Sequence, residues 1–207
     1  MRHGRQLVTG AVGAMALMGA LTGCLFGADG DGGAKAKAPA PPKLGGKRTA
    51  CELPVRFSLE KSWKAEAVDA AVQDQIGPLA KQGPVTLVCE IDAKPAGHIG
   101  FLRVYTGTKG AAAPGGEPRA LMRAFVAAEN FESKVGFRQT KAGDLPATEA
   151  SYSVTDPSAG ETRRQRALAV MTKSGGVVIH LGGLDTDEHK AMLPAFRLAK
   201  KSLETTG

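Results

Sequence analysis

Runs of alternating apolar and polar residues recur along this chain with short gaps between them, and that limits its fold more than any other feature. Leu53, Val55, Phe57 and Leu59 alternate with Pro54, Arg56 and Ser58, and Val85, Leu87, Cys89 and Ile91 make a second alternating strand. Such alternation places one apolar face on a strand. Residues 98–106 differ, being apolar on both parities (Ile99, Phe101, Leu102, Val104, Tyr105), which predicts a central strand covered on both faces. Further strands are expected at 135–140 and 149–155, and a hairpin at 164–173 and 177–182 across Ser174-Gly175-Gly176.

Two segments switch to helical spacing. Pro118 opens one that runs to Phe131, with Leu121, Met122, Phe125, Val126 and Glu129 on one stripe. The other covers Thr186 to Leu203, with Asp185 and Glu188 as a capping-box-like start and Met192, Phe196, Ala199 and Leu203 on its buried stripe. Pro194 inside it predicts a kink or a break near Leu193. A third, weaker helix is expected over 65–76, stopped by Gly77-Pro78. Consecutive strands joined by short loops favour hairpins. The fold class is therefore α+β, an antiparallel sheet flanked by helices, in one domain over 51–207.

The N-terminus is an address. Arg2, His3 and Arg5 precede 15 uncharged residues, Leu7 to Leu21, too short for the roughly 20 apolar residues that span a bilayer. Residues 1–23 read as a signal peptide. It ends in Leu21-Thr22-Gly23-Cys24, which looks like a bacterial lipobox, so Cys24 is the expected site of lipidation, palmitate being one acyl chain it could carry. Several acyl chains would hold the protein on the extracytoplasmic face of the cell membrane, at about 0.8 kcal/mol per buried methylene. Residues 24–50, rich in Gly, Ala, Pro and Lys, read as a flexible tether.

Export makes the other two cysteines informative. Cys51 and Cys89 both fall on the apolar parity of expected strands, so they can form a disulfide. Two alternatives stand beside the bridge: buried free thiols, or a redox pair, for which there is no Cys-x-x-Cys spacing.

The lipobox, the tether and a domain of this order resemble the LpqN/LpqT-like secreted lipoproteins of actinobacteria. The stretches that carry the resemblance are Gly83 to Ile91, Ile99 to Val104 and the Asp185-to-Leu203 helix. The resemblance implies a PsbP-like α/β/α sandwich over roughly 51–204. It also implies a surface-tethered, non-enzymatic accessory or binding protein of the cell envelope.

The residues themselves supply no reaction. G-x-S-x-G, G-x-x-x-x-G-K-[ST] and a helix-opening G-x-G-x-x-G are all absent, so no cofactor is expected. No metal is expected either, because His98, His180 and His189 lack ligand spacing. Nucleic acid is not an expected partner. From residue 51 onward there are 20 basic against 18 acidic residues, so most of the +7 charge belongs to leader and tether. Four further features have plain and functional readings. Glu90 and Asp92 on one strand face are a solvated face, an acid–base pair or ligands for Ca²⁺. The Gly-rich 107–116 loop is a connector or a phosphate cradle. Arg163, Arg164 and Arg166 are a strand edge or an anion grip. His98 and His180, met by a carboxylate, would be needed for an enzyme. The leading expectation is a non-catalytic domain binding another envelope protein. The alternative is a carrier of a lipid or glycolipid in a pocket between sheet and helices, lined by Phe101, Leu102, Met122 and Phe125.

Overall fold

The structure, a computed structural model, describes residues 40–108, 116–130 and 132–207. Eleven strands and three α-helices follow one another: β1 (Lys43–Leu44), β2 (Val55–Ser58), β3 (Lys64–Ala67), α1 (Ala70–Ile76), β4 (Lys81–Gln82), β5 (Val85–Asp92), β6 (Gly100–Thr108), α2 (Pro118–Ala127), β7 (Glu132–Ala142), β8 (Leu145–Thr155), β9 (Thr162–Thr172), β10 (Gly175–Gly183), α3 (Thr186–Lys201) and β11 (Glu204–Thr205). Every strand pair is antiparallel. The large sheet has the order β3-β5-β6-β10-β9-β8-β7, with β4 also paired to β5, and β1-β2-β11 form a small separate sheet.

The large sheet is the middle layer. On one face, called upper here, α3 and the small sheet cover Ile91, Leu102, Val104, Leu168, Ile179 and Leu181. On the lower face α2 lies over Leu87, Tyr105, Ala150, Ala167 and Val178. This is an α/β/α arrangement, as expected. Burial on both faces explains the apolar run of β10, from Val177 to Leu181, interrupted only by His180. β6 is likewise central and buried on both faces, between β5 and β10.

Several expectations need correction. Residues 64–67 are not the start of a helix. They pair with β5, Ala65 opposite Ile91, and the helix begins only at Ala70, where the Asp69 carboxylate accepts from Val72 N at 3.0 Å. A free sheet edge overrides the helix propensity of Lys-Ala-Glu-Ala. The tether does not reach residue 50, because Leu44 is buried and β1 pairs with β2. The hairpin turns at Lys173-Ser174, and Gly175 already pairs with Thr172. α2 ends at Ala127 rather than at Phe131, which lies outside the described residues. α3 is continuous through Pro194. Pro194 is on the exposed side, so the carbonyl that its missing N–H would have satisfied stays in water, while Met192, Ala195 and Phe196 hold both halves on the sheet. The Asp185 carboxylate caps that helix, accepting from Asp187 N and Glu188 N, but Glu188 accepts from Ile99 N instead of closing a capping box.

The alternation of β5 conceals a switch of faces. Leu87 pairs with Tyr105 and Cys89 with Val104, so Val88 is an inserted residue. Val85 and Leu87 therefore pack below the sheet, and Cys89 and Ile91 above it. That upward turn carries Cys89 to Cys51, and the two are bridged with Cα atoms 5.9 Å apart.

Candidate functional site

Because α2 is short, it leaves part of the lower face open beyond its C-terminal end. β6, β10, β9 and β8 continue there in register. Arg103 lies opposite His180, and His180 opposite Ala167. In the next row Phe101 faces Gly182, Gly182 faces Gln165, and Gln165 faces Tyr152. Gly182 has no side chain to fill its place; a Cβ there would stand 3.0 Å from Gln165 Oε1 and 3.5 Å from His180 Cε1. The result is an open cleft of about 410 Å³ floored by Gly182, walled by Phe101, Arg103, Gln165 and His180, and closed at one end by Gln82 and Glu129. Ile99 and Leu184, 57% and 49% exposed, stand on its rim.

The electrostatics divide by depth. His180 is 6% exposed, stacked on Tyr152 at 6.3 Å and tilted against Phe125 at 5.6 Å. Burial, with the charges of Arg103 and His189, lowers its pKa to about 3, so the imidazole is neutral. Neither of its ring nitrogens has a partner, nor does Gln165 Oε1. Burial raises the Glu129 pKa, and a hydrogen bond from Gln82 Nε2 at 2.9 Å opposes this. Burial takes the Tyr105 hydroxyl up to about 12 and the Tyr152 hydroxyl higher still, so both remain protonated. The rim carries the charge. Arg103 donates to Glu90 at 2.6 Å and lies 4.9 Å over the Phe101 ring, and Arg163 is 3.5 Å from Asp156. This arrangement suits recognition of a polar group that both donates and accepts. His180 has no carboxylate partner among the described residues.

A prediction follows from the orphaned imidazole. His180→Phe is expected to leave stability unchanged or raise it by about 1 kcal/mol, because an unsatisfied buried polar group is costly. The unfolded His titrates near 6.5 and the folded one near 3, so the unfolded chain binds the extra proton between these values and stability falls as pH drops through that window. Urea midpoints at pH 7 and pH 4 test this. The acid-side loss should shrink in the variant, and an unchanged loss would contradict the assignment.

The expected pocket does not exist as one cavity. Phe101 borders the cleft, but Met122 and Phe125, on the inner side of α2, are fully buried against the sheet, and Leu102 points to the opposite face of the sheet. Adjacent residues of one strand cannot share a face. Glu90 is committed to Arg103, and Asp92 accepts from Lys94 N at 2.8 Å. His98 lies 3.4 Å from Glu188 beside α3 and does not meet His180. The three arginines are not at a sheet edge, since β9 is interior. Arg163 points below the sheet with Gln165, and Arg164 and Arg166 point above it. Cys24 and residues 109–115 of the Gly-rich loop lie outside the described residues. Sequence reasoning set aside His180 and missed Gln82, Glu129, Gln165 and Gly182. The one signal for them was a histidine and a glycine interrupting the apolar strand 177–182.

Two solved structures are similar to this one. The solution structure of cyanobacterial PsbP (CyanoP) from Synechocystis sp. PCC 6803 is 11% identical, with a TM-score of 0.49, over 85% of this chain and 98% of that one. LpqN of Mycobacterium tuberculosis, described as involved in cell envelope biogenesis, is 13% identical, with a TM-score of 0.42, over 80% and 90%. No curated protein matches the chain. A family model does match, over residues 27–203, and the chain belongs to that family, described as "Uncharacterised lipoprotein", which makes it a lipoprotein of the cell envelope.

Proposed function

We propose that this is a non-catalytic recognition lipoprotein, acylated at Cys24, held on the extracytoplasmic face of the membrane, and binding another envelope protein through the cleft below its sheet. The observation that carries the reading is His180, buried with neither nitrogen satisfied, at the wall of a cleft floored by glycine. Unpaired buried groups are costly in an isolated chain and are relieved when a partner supplies the missing hydrogen bonds. The rim supports a protein partner over a carried lipid. Its guanidinium groups, exposed Ile99 and Leu184, and aromatic Phe101 are the residue types of interface anchors. The apolar interior supports it too, because both hydrophobic clusters are closed by fully buried side chains such as Met122, Phe125, Ile179 and Leu181.

The test is photocrosslinking in intact cells from a photoreactive residue at Leu184, with the same residue at exposed Leu79 as control. One protein band from Leu184, absent from Leu79 and lost on Gly182→Leu, is the expected result. Equal bands from both positions would remove the cleft as the binding site. A small molecule found by native mass spectrometry on the purified protein, and released by organic solvent, would replace protein recognition with carriage. Fatty-acid labelling that persists in Cys24→Ala would overturn the anchoring site.

A further inference from the structure

The upper face of the sheet carries a second feature, away from the cleft. α3 crosses this face diagonally. Its first turn packs on the end of β10, where a Cβ on Gly183 would meet His189 N at 3.0 Å. Its last turn reaches the β7–β8 turn, where Gly143 N donates to Lys200 O at 2.8 Å. The crossing leaves the far ends of β7, β8 and β9 without a helix over them. Register sets two rows there: Gly136 opposite Ser151 opposite Arg166, and Ser133 opposite Ser153 opposite Arg164. The preceding row pairs Arg138 with Glu149.

Small side chains make this floor low, and cations surround it. The Glu149 carboxylate accepts from Arg138, Arg166 and Lys200, so three positive charges share one negative charge. Arg164 adds a fourth cation and has no acidic partner within salt-bridge distance among the described residues. Arg166 Nε is buried without an acceptor. Beside Arg164 and Arg166 lies His189, 3% exposed, with Nδ1 unpartnered. Guanidinium forks beside the half-buried Ser151 and exposed Ser133, with Ser153 buried between them, match the oxygens of a phosphate group in charge and fork geometry.

We infer that this basic depression docks the phosphate headgroups of an anionic phospholipid surface. The inference takes its choice of occupant from the proposed anchoring at Cys24. Residues 24–39 are all that separate that cysteine from the first described residue, and a chain of that length reaches at most about 55 Å when fully extended. The domain therefore stays within about a molecular diameter of the headgroups, and they are the phosphates it meets at highest local concentration.

The experiment uses the mature chain with Cys24→Ser, so that binding cannot come from acylation and the anchoring reading is not at stake. Its sedimentation is measured with vesicles of phosphatidylcholine, with and without one-third phosphatidylglycerol. Binding is expected only with phosphatidylglycerol, and it should weaken as salt is added. Arg138→Ser and Arg164→Ser should each weaken it about fivefold, the factor for one cation at an anionic surface. The Arg164 side chain is exposed and makes no ion pair among the described residues, so an unchanged urea midpoint should accompany the loss in Arg164→Ser; Arg138 also pairs with Glu149, so Arg164→Ser is the variant that separates binding from stability. No binding to phosphatidylglycerol vesicles overturns the inference. So does binding that survives both arginine variants and is lost instead on replacing Lys35 and Lys37, and so does tighter binding to soluble polyphosphate at equal phosphate.

Discussion

Removing the Cys51–Cys89 bridge is expected to cost about 4 kcal/mol of folding free energy, because it frees a loop with a sequence separation of 38 in the unfolded chain. Both cysteines are essentially fully buried in the upper core, at 1% and 0% exposure. The paired variant Cys51→Ala, Cys89→Ala keeps the packing nearly intact and isolates the cross-link. For a domain of this size the loss corresponds to a fall in Tm of about 10 °C. Urea unfolding with and without a thiol reductant checks it. Reductant should bring the wild-type curve close to that of the variant and leave the variant unmoved. A wild-type curve indifferent to full reduction would show that the bridge stabilises nothing.

Glu149→Gln should have a comparable effect for a different reason. The carboxylate is 7% exposed, and it is the one group that answers Lys200, Arg166 and Arg138 together. Breaking a buried ion pair by removing one partner costs about 3–5 kcal/mol, since the other charges stay where they are. Lys200 and Arg166, 18% and 29% exposed, cannot turn freely into water. A second change, Lys200→Met, should recover part of the loss. The same carboxyl contributes to acid stability, beside His180. Burial works to raise its pKa, but Lys200, Arg166 and Arg138 outweigh that and hold it below its ordinary 4.5. Its contribution is therefore complete above pH 4.5 and is lost as pH falls through the lower folded value. The urea midpoint of the wild type should drop between pH 5 and pH 3, and that of Glu149→Gln should drop less. Equal drops would assign the acid sensitivity elsewhere.

The strands were readable in the sequence because alternation reports burial directly. The double-faced run at 98–106 became the central β6, and the apolar parity of Cys51 and Cys89 anticipated their pairing. What alternation cannot report is which face a residue takes after an insertion. Leu87 and Cys89 keep the same parity in sequence and lie on opposite sides of the sheet, because Val88 adds one residue to one strand only. The helix over 65–76 failed at its first half because an unpaired strand edge competes for those residues, a tertiary effect. The cleft was illegible for the same kind of reason. Phe101, Gly182, Gln165 and Tyr152 come from four strands and share a row only through register. Their spacing along the chain carries no trace of that row, whereas His180 stood out on its own as a polar residue in an apolar strand.

The small sheet has a mechanical consequence. β1 and β11 flank β2 on either side, so the first and last described strands are one strand apart in the same small sheet, and the Lys43 side chain reaches across to Glu204 at 2.7 Å. Under the proposed anchoring at Cys24, a pull through the N-terminal segment would load β1 first, and its pairing with β2 covers only Lys43 and Leu44. That contact should peel away under small force. The next firm point is Cys51, whose covalent link to Cys89 passes the load straight into β5 and the large sheet. Under the proposed anchoring, the N-terminal segment would lengthen by a few residues under tension while the large sheet stays folded.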